Sequence, residues 1–199
     1  KLEYWISYNI KFYDHGSISI DISNLNTLYN ISPKFCSLLI GKLINNVGGN
    51  TFIPKQKKIL IKLSFLFKKK INKFTLGNVI LFTKLGKLNM IKEERNLDIN
   101  NPVKKNKFQY FDNRFILLSK FDGHILNSKK FNLEVVNLAS CSKFFQYSNL
   151  INNSLPVLKT LEGRLVKPYL SIVDKNKIRE IKNFDRDFIL FFVKNIDFV

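Results

Sequence analysis

Apolar side chains recur with helical spacing over one stretch, where Phe35, Leu38, Leu39, Leu43, Ile44 and Val47 fall on one face. Ser32 is a good N-cap residue, Pro33 suits the first helical position, and Gly48-Gly49 supplies a stop. The pattern predicts a helix over residues 33–47, despite Gly41. Elsewhere the spacing is closer to two. Trp5, Ile6, Tyr8, Ile10 and Phe12 predict a strand within residues 4–13, closed by a turn at Asp14-His15-Gly16. Ile59, Ile61, Leu63 and Phe65 alternate with Lys62 and Ser64 and predict a strand over 59–67, with Pro54 confining its start to an edge or a bend. Residues 79–82 predict a further strand, closed by Gly86.

Residues 91–107 are polar and charged and read as an exposed connection. Beyond them, strand-sized apolar runs lie at 115–118, 133–138, 169–173 and 188–193, and 175–182 has room for a short helix. These elements give an α+β chain with a small mixed or antiparallel sheet and one or two helices. The expected organisation is a basic α+β core over residues 1–90 and an insertion or extension over 91–199, whose short strands are candidates for completing the core sheet.

Charge changes this picture from fold to partner. The 199 residues carry 33 Lys plus Arg against 15 Asp plus Glu, a net charge of +18. From Ile22 to Lys92 there are 13 Lys and no Asp or Glu, whereas the other 128 residues carry 20 basic and 15 acidic groups. A surface that meets phosphates has this composition, because a carboxylate there would repel the backbone. Lys outnumbers Arg, which favours phosphate positioning by mobile point charges over bidentate base reading. Asn, Ile, Lys, Phe and Tyr, which have AT-rich codons, are heavily used, as an AT-rich organelle genome or a similarly biased nuclear one would explain. The expected site is Lys55, Lys57, Lys58, Lys62, Lys68, Lys69, Lys70 and Lys73, flanking and interrupting the strand at 59–67. A solvated lysine edge that deters aggregation is the plainer alternative. Phe65, Phe67 and Phe74 are candidates for stacking on bases, or for core packing.

Catalytic constellations are missing. Two His (His15, His124) and two Cys (Cys36, Cys141) are scattered, without the spacing of a zinc site or a nucleophile motif. Cys36 and Cys141 read as small buried hydrophobes. Glu93-Glu94 and Asp185/Asp187 read as solvated charge in preference to a nuclease's metal ligands. No cofactor, metal or small-molecule substrate is expected, and no apolar run reaches the length of a membrane span.

The order of strand, Asp-His turn, long helix, Gly-Gly, Pro-Lys step, strand and Lys-rich loop resembles the tenth small-subunit ribosomal protein family, bacterial and organellar. The residues that carry the likeness are Ile10 to His15, Gly48-Gly49 to Pro54-Lys55, and Ile61 to Phe74, so it covers about residues 8–74. The Pro-His pair and the Arg-Glu step of the family's loop are absent here. The resemblance implies a four-stranded, ferredoxin-like α+β domain in the small-subunit head, with residues 55–74 on RNA. The expected function is therefore a non-enzymatic constituent of an organelle ribosome, mitochondrial in preference to plastid. Its partners would be rRNA and neighbouring ribosomal proteins, without membrane insertion. The rival expectations are an accessory subunit of an organelle inner-membrane respiratory complex, or a degenerate nuclease or maturase.

Overall fold

The structure is a computed structural model that describes residues 2–93, 101–127, 148–180 and 185–194. The chain is α+β and divides into two compact units, Lys1–Glu93 and Glu94–Asn195.

The first unit runs α1 (Leu2–Asn9), β1 (Ile10–Phe12), β2 (Ile18–Asp21), α2 (Ile22–Ile31), α3 (Pro33–Gly48), α4 (Gln56–Phe67), β3 (Lys73–Leu76), β4 (Val79–Lys84) and β5 (Lys87–Lys92). Its five strands form one antiparallel sheet in the order β1-β2-β5-β4-β3. Alternate strand residues, among them Ile18, Ile20, Leu81, Leu88 and Met90, join a core with Leu25 of α2, Leu39, Leu43 and Ile44 of α3, and Ile59, Leu63 and Leu66 of α4. Each such side chain contributes about 1.5–3 kcal/mol by leaving water, so this face dictates where the helices lie.

The predicted helix at 33–47 is present as α3, one residue longer. Pro33 occupies the first turn and Gly49 caps the end at φ 66°, a left-handed conformation that favours glycine. Ser32 stands at the N-cap, but its hydroxyl makes no capping bond. Asp21 does cap α2, accepting from the backbone N–H of Ser23 at 3.0 Å and of Asn24 at 3.1 Å. Two-residue turns in the left-handed region close the hairpins: Gly77-Asn78 joins β3 to β4, and Leu85-Gly86 joins β4 to β5.

Two strand expectations are overturned. Residues 59–67 are helical, within α4. A strand would bury Ile59, Ile61, Leu63 and Phe65 but leave Leu60 and Leu66 beside Lys62. The helix instead buries Ile59, Leu63 and Leu66, which lie at i, i+4 and i+7. Residues 4–9 are helical as well. There Tyr4 stacks on Tyr8 one turn later, and the Asn9 amide donates to the Trp5 carbonyl at 2.8 Å. The strand expected at 4–13 is reduced to β1, and the Asp14-His15-Gly16 turn follows it as expected.

The second unit builds two sheets of its own, so the sheet of the first unit is completed from within residues 1–93. One comprises β6 (Pro102–Val103), β9 (Gly123–Asn127), β10 (Pro156–Thr160) and β11 (Leu165–Val166), in the order β11-β10-β9-β6. The other orders β7 (Gln109–Phe111), β8 (Phe115–Ser119), β12 (Tyr169–Asp174) and β13 (Phe188–Lys194) as β12-β13-β8-β7. A short α5 (Ser148–Asn153) precedes β10, and a 3-10 helix (Lys175–Glu180) stands where a short helix was expected. β13 pairs parallel with β12 and antiparallel with β8. Its run Phe188 to Val193 is buried on both faces, as a central strand requires. The fold class expected from the sequence stands, with more helices and three sheets in place of one. The strand expected at 133–138 lies outside the described residues.

Candidate nucleic-acid interface

α4 and its two ends carry all eight predicted lysines. Lys55 is the N-cap residue, Lys57 and Lys58 lie in the first turn, and Lys62 is central and half-buried. Lys68 is the C-cap, Lys69 and Lys70 form the turn that leaves the helix, and Lys73 opens β3. All but Lys62 are exposed. The expected strand is corrected to a helix, with three exposed lysines at each end and only half-buried Lys62 between them. Twelve residues at 1.5 Å each make α4 about 18 Å long, comparable with roughly five phosphate steps of one stacked strand.

The two ends differ electrostatically. At the C-terminal end, cations complement the partial negative charge of the last carbonyls. The chain there closes in a Schellman turn: Lys69 N–H donates to the Leu66 carbonyl at 3.0 Å and Lys70 N–H to that of Phe65 at 2.9 Å. Lys69 adopts φ 56° in this turn, a left-handed conformation that costs a non-glycine residue about 1–2 kcal/mol. At the N-terminal end, Lys55, Lys57 and Lys58 surround the positive end of the helix dipole. No acidic residue occupies that turn and no side chain caps it. The N-terminal lysines oppose the dipole and Lys69 costs backbone strain, whereas the charge at the C-terminal end suits the dipole; both ends keep positive charge on the surface.

The aromatic candidates separate. Phe74 is buried in the core and Phe67 packs edge-on against Tyr29 at 5.1 Å, so neither is available for stacking. Phe65 is exposed on α4, near Ile61 on the same face. Phe52 was not singled out from the sequence, because one apolar residue in a loop carries no periodic signal. It is 84% exposed.

Among the described residues no three His, Cys, Asp or Glu side chains group as a metal site. His15 is buried beside the Tyr13 ring, and His124 is exposed on β9. Asp187 lies 3.8 Å from Arg164, and the Asp185 carbonyl accepts from Lys120. Glu94 and Cys141 lie outside the described residues. Cys36 is a buried free thiol of α3, its pKa pushed up to about 12 by burial.

Comparison of the chain with models of known families, with curated proteins and with solved structures returned no match.

Proposed function

We propose that this chain is a non-catalytic RNA-binding protein that stabilises a ribonucleoprotein by phosphate contacts, with the rRNA of an organelle small ribosomal subunit as its partner. The observation that carries the reading is the two clusters of exposed lysines at the ends of α4, Lys55, Lys57 and Lys58 at one and Lys68, Lys69 and Lys70 at the other, within a segment from Ile22 to Lys92 that has no carboxylate. The N-terminal cluster is held against the helix dipole and Lys69 against backbone preference, which supports a use for these charges outside the fold. Lysines contact phosphates as mobile point charges, so recognition follows backbone shape more than base identity. The heavy use of Asn, Ile, Lys, Phe and Tyr fits an AT-rich organelle genome, and the compartment proposed is the mitochondrion. No cofactor enters this function. Among the described residues no helix is long and apolar enough to cross a membrane.

Two measurements test the reading. Fluorescence anisotropy with a structured rRNA fragment should show salt-dependent binding. Changing Lys57, Lys58, Lys69 and Lys70 together to Ala should weaken it and lower the log–log salt slope by about three. An unchanged slope would remove these lysines from the phosphates. In a sucrose gradient of organelle lysate, the chain should travel with the small ribosomal subunit. Migration with solubilised respiratory complexes, free of rRNA, would sink the proposal.

A further inference from the structure

A cavity of about 360 Å³ opens between the loop that precedes α4 and the β3–β4 turn, a size within the range of small-ligand sites. Its apolar lining comes from Phe52, Ile53, Pro54 and Leu76, and Lys55 and Lys58 line it too. Phe52 is the most exposed aromatic side chain among the described residues. The loop that carries it is anchored. The Asn50 amide donates to the Gly77 carbonyl at 2.5 Å and its oxygen accepts from the Asn78 amide at 2.7 Å. Gly48 permits this approach, since a Cβ there would lie 2.5 Å from the same Gly77 carbonyl.

We propose that this cavity seats one unpaired nucleotide, with its base stacked on Phe52 and its phosphate on Lys55 and Lys58. The inference rests on the RNA-binding reading and adds the kind of RNA. An aromatic ring and two lysines in one lining match the two halves of a nucleotide, an apolar ring face and an anion. A base inside a duplex has both faces covered, so only a looped-out or single-stranded base can use Phe52. The polar atoms of Asn50 are already engaged with the β3–β4 turn. The lining therefore offers charge and a stacking face, with the Thr51 hydroxyl as its remaining uncharged side-chain polar group, so the seat should discriminate weakly among the four bases. An anionic lipid surface would also suit lysines beside apolar groups. The vesicle arm of the test separates that source from RNA.

The test compares the full chain with Phe52→Ala, Phe52→Tyr and Lys55→Ala/Lys58→Ala, each checked for native circular dichroism. The probes are a labelled short oligouridine, a fully paired RNA hairpin and phosphatidylserine vesicles. Phe52→Ala should lose about tenfold on oligouridine and nothing on the hairpin, and Phe52→Tyr should retain binding. The double lysine variant should lose affinity for both RNAs. If Phe52→Ala binds oligouridine as tightly as the parent while the lysine variant is impaired, the stacking seat is wrong and the RNA-binding reading survives. If the parent binds neither RNA, both fall. Vesicle binding that depends on Phe52, without such dependence for oligouridine, would assign the cavity to membranes and overturn the proposal.

Discussion

The ammonium of Lys92 donates a 3.1 Å hydrogen bond to the carbonyl of Gly48. Lys92 is only 8% exposed and ends β5, while Gly48 ends α3. A buried cation thus sits at the negative end of the central helix, where it satisfies a terminal carbonyl and ties helix to sheet. Lys92→Met keeps the length and removes the charge. It should destabilise the first unit by about 2 kcal/mol, read by urea unfolding on Trp5, the single tryptophan, which packs against that unit's core. An unchanged midpoint would make the contact incidental.

Lys69 offers the opposite trade. Replacing it by Gly relieves the left-handed backbone at φ 56°. Lys69→Gly should therefore raise the stability of the first unit by about 1 kcal/mol while lowering the salt slope of RNA binding by about one. A variant that is more stable and binds equally well would show that this lysine does not meet phosphate.

Asp21 makes a pH-dependent contribution. The Ser23 hydroxyl, then the Asn24 and Ser23 backbone N–H groups, hold its carboxyl below the ordinary value of 3.8. A depressed folded-state pKa gives stability that is present above the unfolded value and lost as pH falls through the folded one. Asp21→Ala should cost about 1 kcal/mol near neutrality. The gap between the two proteins should close as the pH drops below 3.8. A gap that persists unchanged in acid would assign the cap's worth to something other than the carboxylate.

Arg114 is fully buried in the second unit. Its Nε donates to Asp112 at 2.7 Å, a terminal nitrogen donates to the Ser154 carbonyl at 3.0 Å, and the guanidinium lies 4.7 Å from the Phe115 ring centre. Burial lowers its pKa and Asp112 opposes that shift. Arg114→Met strands a carboxylate and should cost about 3–5 kcal/mol. Adding Asp112→Asn should recover part of the loss. Hydrogen exchange in β8 and β13 peptides reports on this unit; equal protection in parent and single variant would contradict the expectation.

The Cys36 thiol should resist alkylation in the folded protein at mildly alkaline pH, because burial holds its pKa at about 12 and the thiolate is the reactive form. Peptide mapping after iodoacetamide treatment, with and without urea, distinguishes the cases. Native-state labelling would show that α3 opens readily.

What the sequence revealed depended on whether local pattern and long-range packing agreed. α3 was legible because periodicity, Pro33 and Gly48-Gly49 all mark the same ends. β13 was legible because six successive apolar residues, Phe188 to Val193, suit a central strand. α4 was not, because Ile59, Ile61, Leu63 and Phe65 satisfy a two-residue period while Ile59, Leu63 and Leu66 satisfy a helical one. β-branched Ile and aromatic Phe tip local preference toward the strand, and the core overrides it. The positions of the basic residues were visible as composition; their division between the two ends of a helix was not. Gly48 gave no hint of its role either, since its neighbour Gly77 is remote in the sequence.

The pairing of β2 with β5 sets Ile20 opposite Leu88 and Ile18 opposite Met90. Between these strands lie all of α2, α3 and α4 and the β3–β4 hairpin. The hairpins β3–β4 and β4–β5 close over two-residue turns and form early, whereas the central pair must wait until a long loop has been closed. Until the chain has been made as far as Lys92, the β1–β2 and β3–β4 pairs lack the strand that joins them into one sheet, and the helices between them lack a complete face to pack on.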